Sequence, residues 1–235
     1  MVEAGPADTF ACITGWGVAG DSNAHRLSPR QILLTLQSEL ETLNIAPGAL
    51  RENIVISIDE PQAFRPGTRI ITDKGVEIDL TMYCEPCQQI LPIVRDLGSM
   101  IQRRGVLGYI RQGGEITQGD GIMLVADHHA PLPESPYQRF LDFVPRIPAG
   151  KVVRYRDLAI AIGVADSFVR ALPGYIKRSA DNQLPLHRIV NARGELLSYV
   201  PGHAATLSRE GVQVEFDRAN TARAWVQLER YLWLG

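Results

Sequence analysis

Cysteine is scarce in this 235-residue chain, which holds Cys12, Cys84 and Cys87 and no others. Three is too few, and odd, for the disulfide framework of a small secreted protein, so the fold must rest on an apolar core. Long hydrophobic runs are missing too: no stretch approaches the roughly 18 residues that a membrane-spanning helix needs. The opening MVEAGPADTF has no basic segment followed by an apolar one, which predicts a soluble, cytoplasmic protein without a secretory leader. No internal repeat or low-complexity tract interrupts the chain. What is there is ordinary globular material, 45% hydrophobic and 21% charged, enough for one large domain or two small ones.

The net charge of -2 hides an asymmetry. Residues 1–130 carry 10 Lys+Arg against 16 Asp+Glu, and residues 131–235 carry 14 against 10. A basic half is a mild pointer to a nucleic-acid partner for that half. The change of sign falls at HHAPLPESPY (128–137), where Pro131, Pro133 and Pro136 remove amide donors and stiffen the chain.

Before that joint, ENIVISI (52–58), TRIIT (68–72), VEIDLTMY (76–83) and GIMLVAD (121–127) read as strands between glycine-bearing turns. PRQILLTLQSELETL (29–43) and QILPIVRDLGSMIQRR (89–104) read as helices from their apolar spacing. Many short strands with few helices predict a small barrel or a strongly bent sheet. After the joint, YQRFLDFVPRI (137–147) predicts a helix with Tyr137, Phe140, Leu141 and Val144 on one face. A short KVVRY strand leads into RDLAIAIG (156–163), a break at Gly163, and SFVRALPGYIKR (167–178). Helix, short glycine turn, helix is the spacing of a helix-turn-helix, although packed helix pairs that touch no DNA share it. Pro173 should kink or shorten the second helix.

The blocks IPAGKVVRYRDLAIAIG, VRALPGYIKR, LPLHRIVNARGEL and LSREGV follow one another over about residues 137–212. Together they resemble the DNA-binding domain of 6-O-methylguanine-DNA methyltransferases. In that family a cysteine precedes the histidine of the third block and takes the alkyl group from guanine. Leu186 stands there in this chain, and a side chain without a lone pair cannot be a nucleophile. No cysteine follows Cys87 to replace it. The chain is therefore similar to the alkyltransferase-like proteins, which keep the fold and the lesion pocket but lack the acceptor.

That resemblance implies roles for particular residues. His187 would be the base and Glu210 its orienting carboxylate, a pair left without a reaction. Arg170 would fill the space vacated by a flipped nucleotide, and Tyr155 would crowd that nucleotide's phosphate. Leu186, His187, Arg188, Asn191, Tyr199 and Glu210 would form the pocket. The implied partner is double-stranded DNA with alkylated guanine, passed on to nucleotide-excision repair factors, with no membrane involved. Structural readings stand beside these: Tyr155 as an amphipathic core residue, Arg170 as a solvated helix position, and the helix pair as a transcription-type DNA reader that flips no base.

In the first half, GWGVAGDSNAH (15–25), SPRQILL (28–34), PGALRENIVI (47–56), FRPGTRI (64–70), YCEPCQQI (83–90) and GGEITQGDGIMLV (113–125) occur in order. They resemble a MOSC domain, the β-barrel module at the C-terminus of molybdenum-cofactor sulfurases. The resemblance implies Cys87 as a sulfur carrier and an association with molybdenum cofactor or pyridoxal phosphate. Glu85 beside it works against a reactive thiol. Cys84 and Cys87 also suit an inert core, or half of a zinc site completed by Cys12 with His128 or His129.

The expectation is a two-domain protein. A β-rich MOSC-like barrel occupies residues 1–128, a proline-rich linker 129–136, and a mainly α winged helix-turn-helix domain of the alkyltransferase type 137–235. Its function would be recognition of 6-O-alkylguanine without repair. The alternative is an enzyme that transfers sulfur through Cys87, with the second half as a DNA- or partner-binding module.

Overall fold

A computed structural model of the chain describes residues 8–217 and 223–235. It divides into two compact units, Met1–Leu132 and Pro133–Gly235.

The first unit is built from β1 (Thr9–Ile13), β2 (Gly17–Val18), β3 (Ile32–Leu36), α1 (Gln37–Leu43), β4 (Ile54–Ile56), β5 (Arg69–Thr72), β6 (Glu77–Tyr83), β7 (Val106–Gln112), β8 (Gly114–Thr117) and β9 (Ile122–Val125). Six strands form one sheet in the order β4-β3-β7-β6-β5-β9, and β2-β1-β8 form another. Only the β3–β4 pair of the larger sheet is parallel. Cys12, Val18 and Ile116 of the smaller sheet share one core with Ile32, Leu34, Ile70, Ile78, Leu80 and Ile110 of the larger, so the sheets bend around common apolar contents as a half-barrel.

Both helices predicted for this unit are corrected. All five residues of Ile32–Leu36 are buried, so both faces of the run are covered, and β4 and β7 pair with its two edges. Helix begins only at Gln37. The stretch 89–104 forms no α-helix; the short 3-10 turns Gln88–Ile90 and Gly98–Met100 carry it instead. Pro92 has no amide to donate, and Leu91 and Ile93 face solvent while Ile90 and Met100 plug a core with Leu40, Ile45 and Leu50. Spacing counted the apolar residues but not which of them found partners.

A buried carboxylate stitches the sheet. Asp79 on β6 accepts from Arg69 Nε on β5 at 2.7 Å and from Arg111 Nε on β7. Burial by itself would raise the Asp79 pKa, but the two guanidiniums outweigh it and hold the carboxyl below the usual range.

The second unit comprises α2 (Pro136–Phe143), β10 (Val153–Arg154), α3 (Tyr155–Ala161), α4 (Leu172–Arg178), β11 (Ile189–Val190), α5 (His203–Arg209), β12 (Val214–Phe216), β13 (Ala224–Val226) and α6 (Leu228–Tyr231). Ser135 Oγ caps α2 by accepting from Gln138 N, and Pro136 sits in the first turn. The helix buries Arg139, Phe140 and Phe143, so Phe143 takes the inward place predicted for Leu141. The second member of the predicted helix pair opens as a 3-10 turn, Asp166–Ala171, and turns α-helical at Leu172. Pro173 therefore lies in the first α-helical turn, where a missing amide costs nothing. β12 and β13 pair antiparallel as the wing. Among the described residues no single helix is long and apolar enough to cross a membrane.

Where the chain enters β7, Gly105 has φ +117°, and a Cβ there would stand 2.3 Å from the Leu34 carbonyl oxygen of β3. Main chain cannot yield as a flexible side chain can. Gly105→Ala should destabilise the first unit by about 3 kcal/mol or more. Gly20→Ala, also at positive φ but with open space around it, should cost only about 1 kcal/mol. Urea unfolding of the two variants tests the difference; equal midpoints would mean β3 and β7 do not approach as described.

Candidate functional site

In the second unit the site is assembled by a two-residue parallel pairing. Val153 lies opposite Ile189 and Arg154 opposite Val190. Tyr155 directly follows one strand and Asn191 the other, so both emerge at the same end of the pair. Leu186, His187 and Arg188 form a 3-10 turn just before β11. Residues far apart in sequence are thus brought together: Tyr155 and Tyr199 hydrogen-bond through their hydroxyls. Both rings are half-buried, and burial raises both phenol pKa values, with the Tyr199 hydroxyl adding to the rise at Tyr155. Both stay neutral and able to donate.

Glu210, at the C-terminal end of α5, ties the turn down. Its Oε1 lies 2.8 Å from His187 Nε2 and 2.7 Å from Arg188 Nη2, and its Oε2 accepts from Gly150 N at 2.9 Å. An ionised carboxylate only accepts, so His187 carries its proton on Nε2. Arg188 Nη1 also donates to the Ile147 carbonyl at 2.6 Å. The polar atoms of Arg188 and Glu210 are spent on one another and on His187, Gly150 and Ile147, which makes the pair a structural frame. Asn191 is engaged in its own turn: its Oδ1 accepts from the amides of Arg193 and Glu195, and its Nδ2 donates to Glu195 Oε2. Leu186 is 7% exposed and presents hydrocarbon where a nucleophile would stand.

Arg170 sits on the 3-10 turn Asp166–Ala171, exposed, and no hydrogen bond or ion pair fixes its guanidinium among the described residues. At the end of α4, Lys177 Nζ lies 5.0 Å from the centre of the Tyr199 ring, and Arg178 stacks over Tyr137 at 4.1 Å. Lys177 is not singled out by the sequence: its place in the last turn of α4 carries no hint of a ring supplied by residue 199. His203, buried behind the loop that carries Tyr199, was also missed, because its partner is a main-chain amide.

In the first unit, burial raises the thiol pKa of Cys84 and pushes that of Cys12 up to about 11. Cys87 is only half-buried, at the start of the 3-10 turn Gln88–Ile90. Its Sγ accepts from Arg104 Nη1 at 3.2 Å, and the same nitrogen donates to the Glu85 carbonyl at 2.8 Å. The Glu85 residue is exposed, so the acidic neighbour read from sequence faces water while its main chain holds the arginine. Arg104 is 5% exposed, its Nε has no hydrogen-bond partner, and no carboxylate pairs with it among the described residues. Arg104 drew no notice in sequence because seventeen positions separate it from Cys87. Among the described residues no three His, Cys, Asp or Glu side chains are grouped to hold a metal ion.

The Glu210 cluster has a pH signature. Burial would raise the Glu210 pKa, but Arg188, the Gly150 amide and His187 outweigh it and set it at about 2, against an ordinary 4.5. A depressed folded pKa means that the stabilisation is complete above 4.5 and is lost as pH falls towards 2. Hydrogen-exchange protection, taken relative to the unstructured rate at each pH, should therefore fall in peptides covering residues 147–154 and 186–190 on acidification through that window. Glu210→Gln should abolish the pH dependence and cost about 2–4 kcal/mol at neutral pH, because Arg188 loses its counter-ion. Unchanged exchange in the variant would dissolve the proposed frame.

Comparison with known proteins meets the two units separately. Residues 18–123 match the model of the MOSC domain, and residues 135–214 match that of the 6-O-methylguanine DNA methyltransferase, DNA binding domain. No curated protein matches the chain. Among solved structures, S. pombe Atl1 in complex with damaged DNA containing O6-carboxymethylguanine is similar at 25% identity, over 43% of this chain and 97% of that one, with a TM-score of 0.38. S. pombe ATL in complex with DNA is similar at 26% identity over 41% and 93%, with a TM-score of 0.37. YiiM from Escherichia coli is similar at 16% identity over 75% and 87%, with a TM-score of 0.41. The chain joins a MOSC domain to a DNA-binding domain of the 6-O-methylguanine DNA methyltransferase family.

Proposed function

We propose that the second unit recognises 6-O-alkylguanine in double-stranded DNA by flipping the base into a pocket, without removing the alkyl group, and so marks the lesion for nucleotide-excision repair factors. One observation carries the reading: the His187–Glu210 pair is intact at 2.8 Å beside Leu186, a residue that cannot accept an alkyl group. A frame kept around an unreactive position suits binding. Leu186 offers an apolar floor for an alkyl substituent, and Tyr155 and Tyr199 offer hydroxyls at the wall. Extruding a paired base costs about a few kcal/mol, and a side chain entering the vacated stack offsets part of it. Arg170, exposed and unpartnered among the described residues, is suited to that task.

The reading separates lesion recognition from general affinity. Binding to plain duplex should rest on phosphate contacts by the basic half and weaken steeply with salt. Preference for a 6-O-methylguanine duplex comes from a filled pocket, releases no counter-ions, and should persist as both affinities fall. Arg170→Ala should weaken lesion binding by about 1–3 kcal/mol and plain-duplex binding by less. Titration of both duplexes at two salt concentrations checks this. Equal losses on both would make Arg170 a phosphate contact and remove base flipping from the reading.

The Arg104–Cys87 contact favours a second activity, in the first unit: sulfur transfer through Cys87. A cationic donor aimed at sulfur suits a sulfur anion, whether thiolate or persulfide. A molybdenum cofactor that brings its other ligands would find one soft donor here, Cys87, backed by the buried Arg104 guanidinium. Pyridoxal phosphate does not fit: Lys74, the one lysine in residues 1–132, is committed to Asp120 at 3.0 Å. Incubation with a cysteine desulfurase and cysteine should add the mass of one sulfur atom, and Cys87→Ser should abolish the gain. No adduct on the native protein would leave the half-barrel a binding module.

A further inference from the structure

His203 opens α5 and is 5% exposed. Its Nδ1 accepts from the Leu197 amide at 3.0 Å, which closes the segment Leu197–His203 into a ring of main chain. The Leu197 carbonyl lies farther from Nδ1, at 3.5 Å, and already accepts from Val200 N, so Nδ1 is the acceptor and the neutral ring carries its proton on Nε2. On its other side the ring makes a hydrogen-bonding contact with the main chain of His187. Burial lowers the pKa of His203, so the ring is neutral and its accepting nitrogen stays available at physiological pH. The closed segment carries Tyr199, whose hydroxyl meets Tyr155 and whose ring lies beneath Lys177. Val200 N donates back to the Leu197 carbonyl, and Gly202 adopts φ +63°, so the ring turns sharply between its two ends.

We propose that His203 is a positioning residue: by accepting the Leu197 amide it fixes the loop that holds Tyr199 against the pocket, and so sets the discrimination between alkylated and plain guanine. This rests on the reading that the pocket takes an alkylated base. Lys177 and Tyr155 steady Tyr199 from α4 and α3, and His203 is the anchor within its own segment. The DNA-facing charges are untouched, so the effect falls on selectivity and leaves general affinity alone.

The test compares His203→Leu, which keeps the bulk and loses the acceptor, with His203→Asn, whose Oδ1 reaches about as far as Nδ1. In His203→Leu the Leu197 amide should exchange faster, and the preference for 6-O-methylguanine over plain duplex should fall about fivefold, the worth of one net hydrogen bond. Plain-duplex affinity should hold, and His203→Asn should recover both exchange protection and preference. Preference unchanged in His203→Leu, or equal loss on both duplexes with no recovery in His203→Asn, would overturn the proposal. If the unaltered protein shows no lesion preference, the pocket reading itself fails, a result distinct from failure in the variants alone. Should His203→Leu not fold, nitrogen NMR of the unaltered protein decides: a proton on Nδ1 would overturn the proposal, and a bare Nδ1 coupled to the Leu197 amide would support it.

Discussion

One carboxylate organises the second unit. Glu210 ends α5, yet it holds His187 and Arg188 from the turn before β11 and the Gly150 amide from the loop before β10. Three segments that share little regular structure are fixed by a single charged group, because a carboxylate offers about four acceptor sites and an arginine fork fills two at once. The cost of burying that charge is offset only while all three partners are present. The two-residue β10–β11 pair would be too short to fix a register alone, so the charge cluster and the pairing depend on each other.

This arrangement accounts for what a substitution at residue 186 leaves behind. The partners of His187 and Glu210 are structural as well as chemical, so loss of the thiol does not release them. Arg188 reaches the Ile147 carbonyl and Gly150 anchors the same loop, so relaxing the pair would loosen the approach to β10 and to Tyr155. Leu186 packs where the surroundings are apolar and brings no desolvation cost. The cluster around Glu210 is held for reasons independent of a reaction.

The first unit relies on buried arginine and aspartate in a different way. Asp79 joins three neighbouring strands through Arg69 and Arg111, whereas Arg104 is buried against a sulfur and a carbonyl, with no carboxylate paired to it among the described residues. The first arrangement closes a charge within the sheet. The second leaves a cation beside the thiols of Cys84 and Cys87, the latter in a segment held by short 3-10 turns rather than by a strand or helix.

Much was legible in the residues themselves. Strands Arg69–Thr72 and Glu77–Tyr83 follow from β-branched and apolar runs between glycine turns, and the two-domain class follows from ordered blocks on either side of a proline-rich joint. Leu186 alone excludes alkyl transfer on the family's pattern, since no fold gives a hydrocarbon a lone pair. Helix and strand are hard to separate where apolar residues are dense: Ile32–Leu36 is a strand because β4 and β7 pair with both its edges, and a pairing partner is not encoded in local spacing. The same holds at the sites. Arg104 against Cys87, Tyr199 against Tyr155 and His203 against the Leu197 amide are pairings between chain segments. Sequence names residues able to donate, accept or carry charge; only the folded chain, by excluding water and bringing distant segments within hydrogen-bonding reach, decides which of them meet.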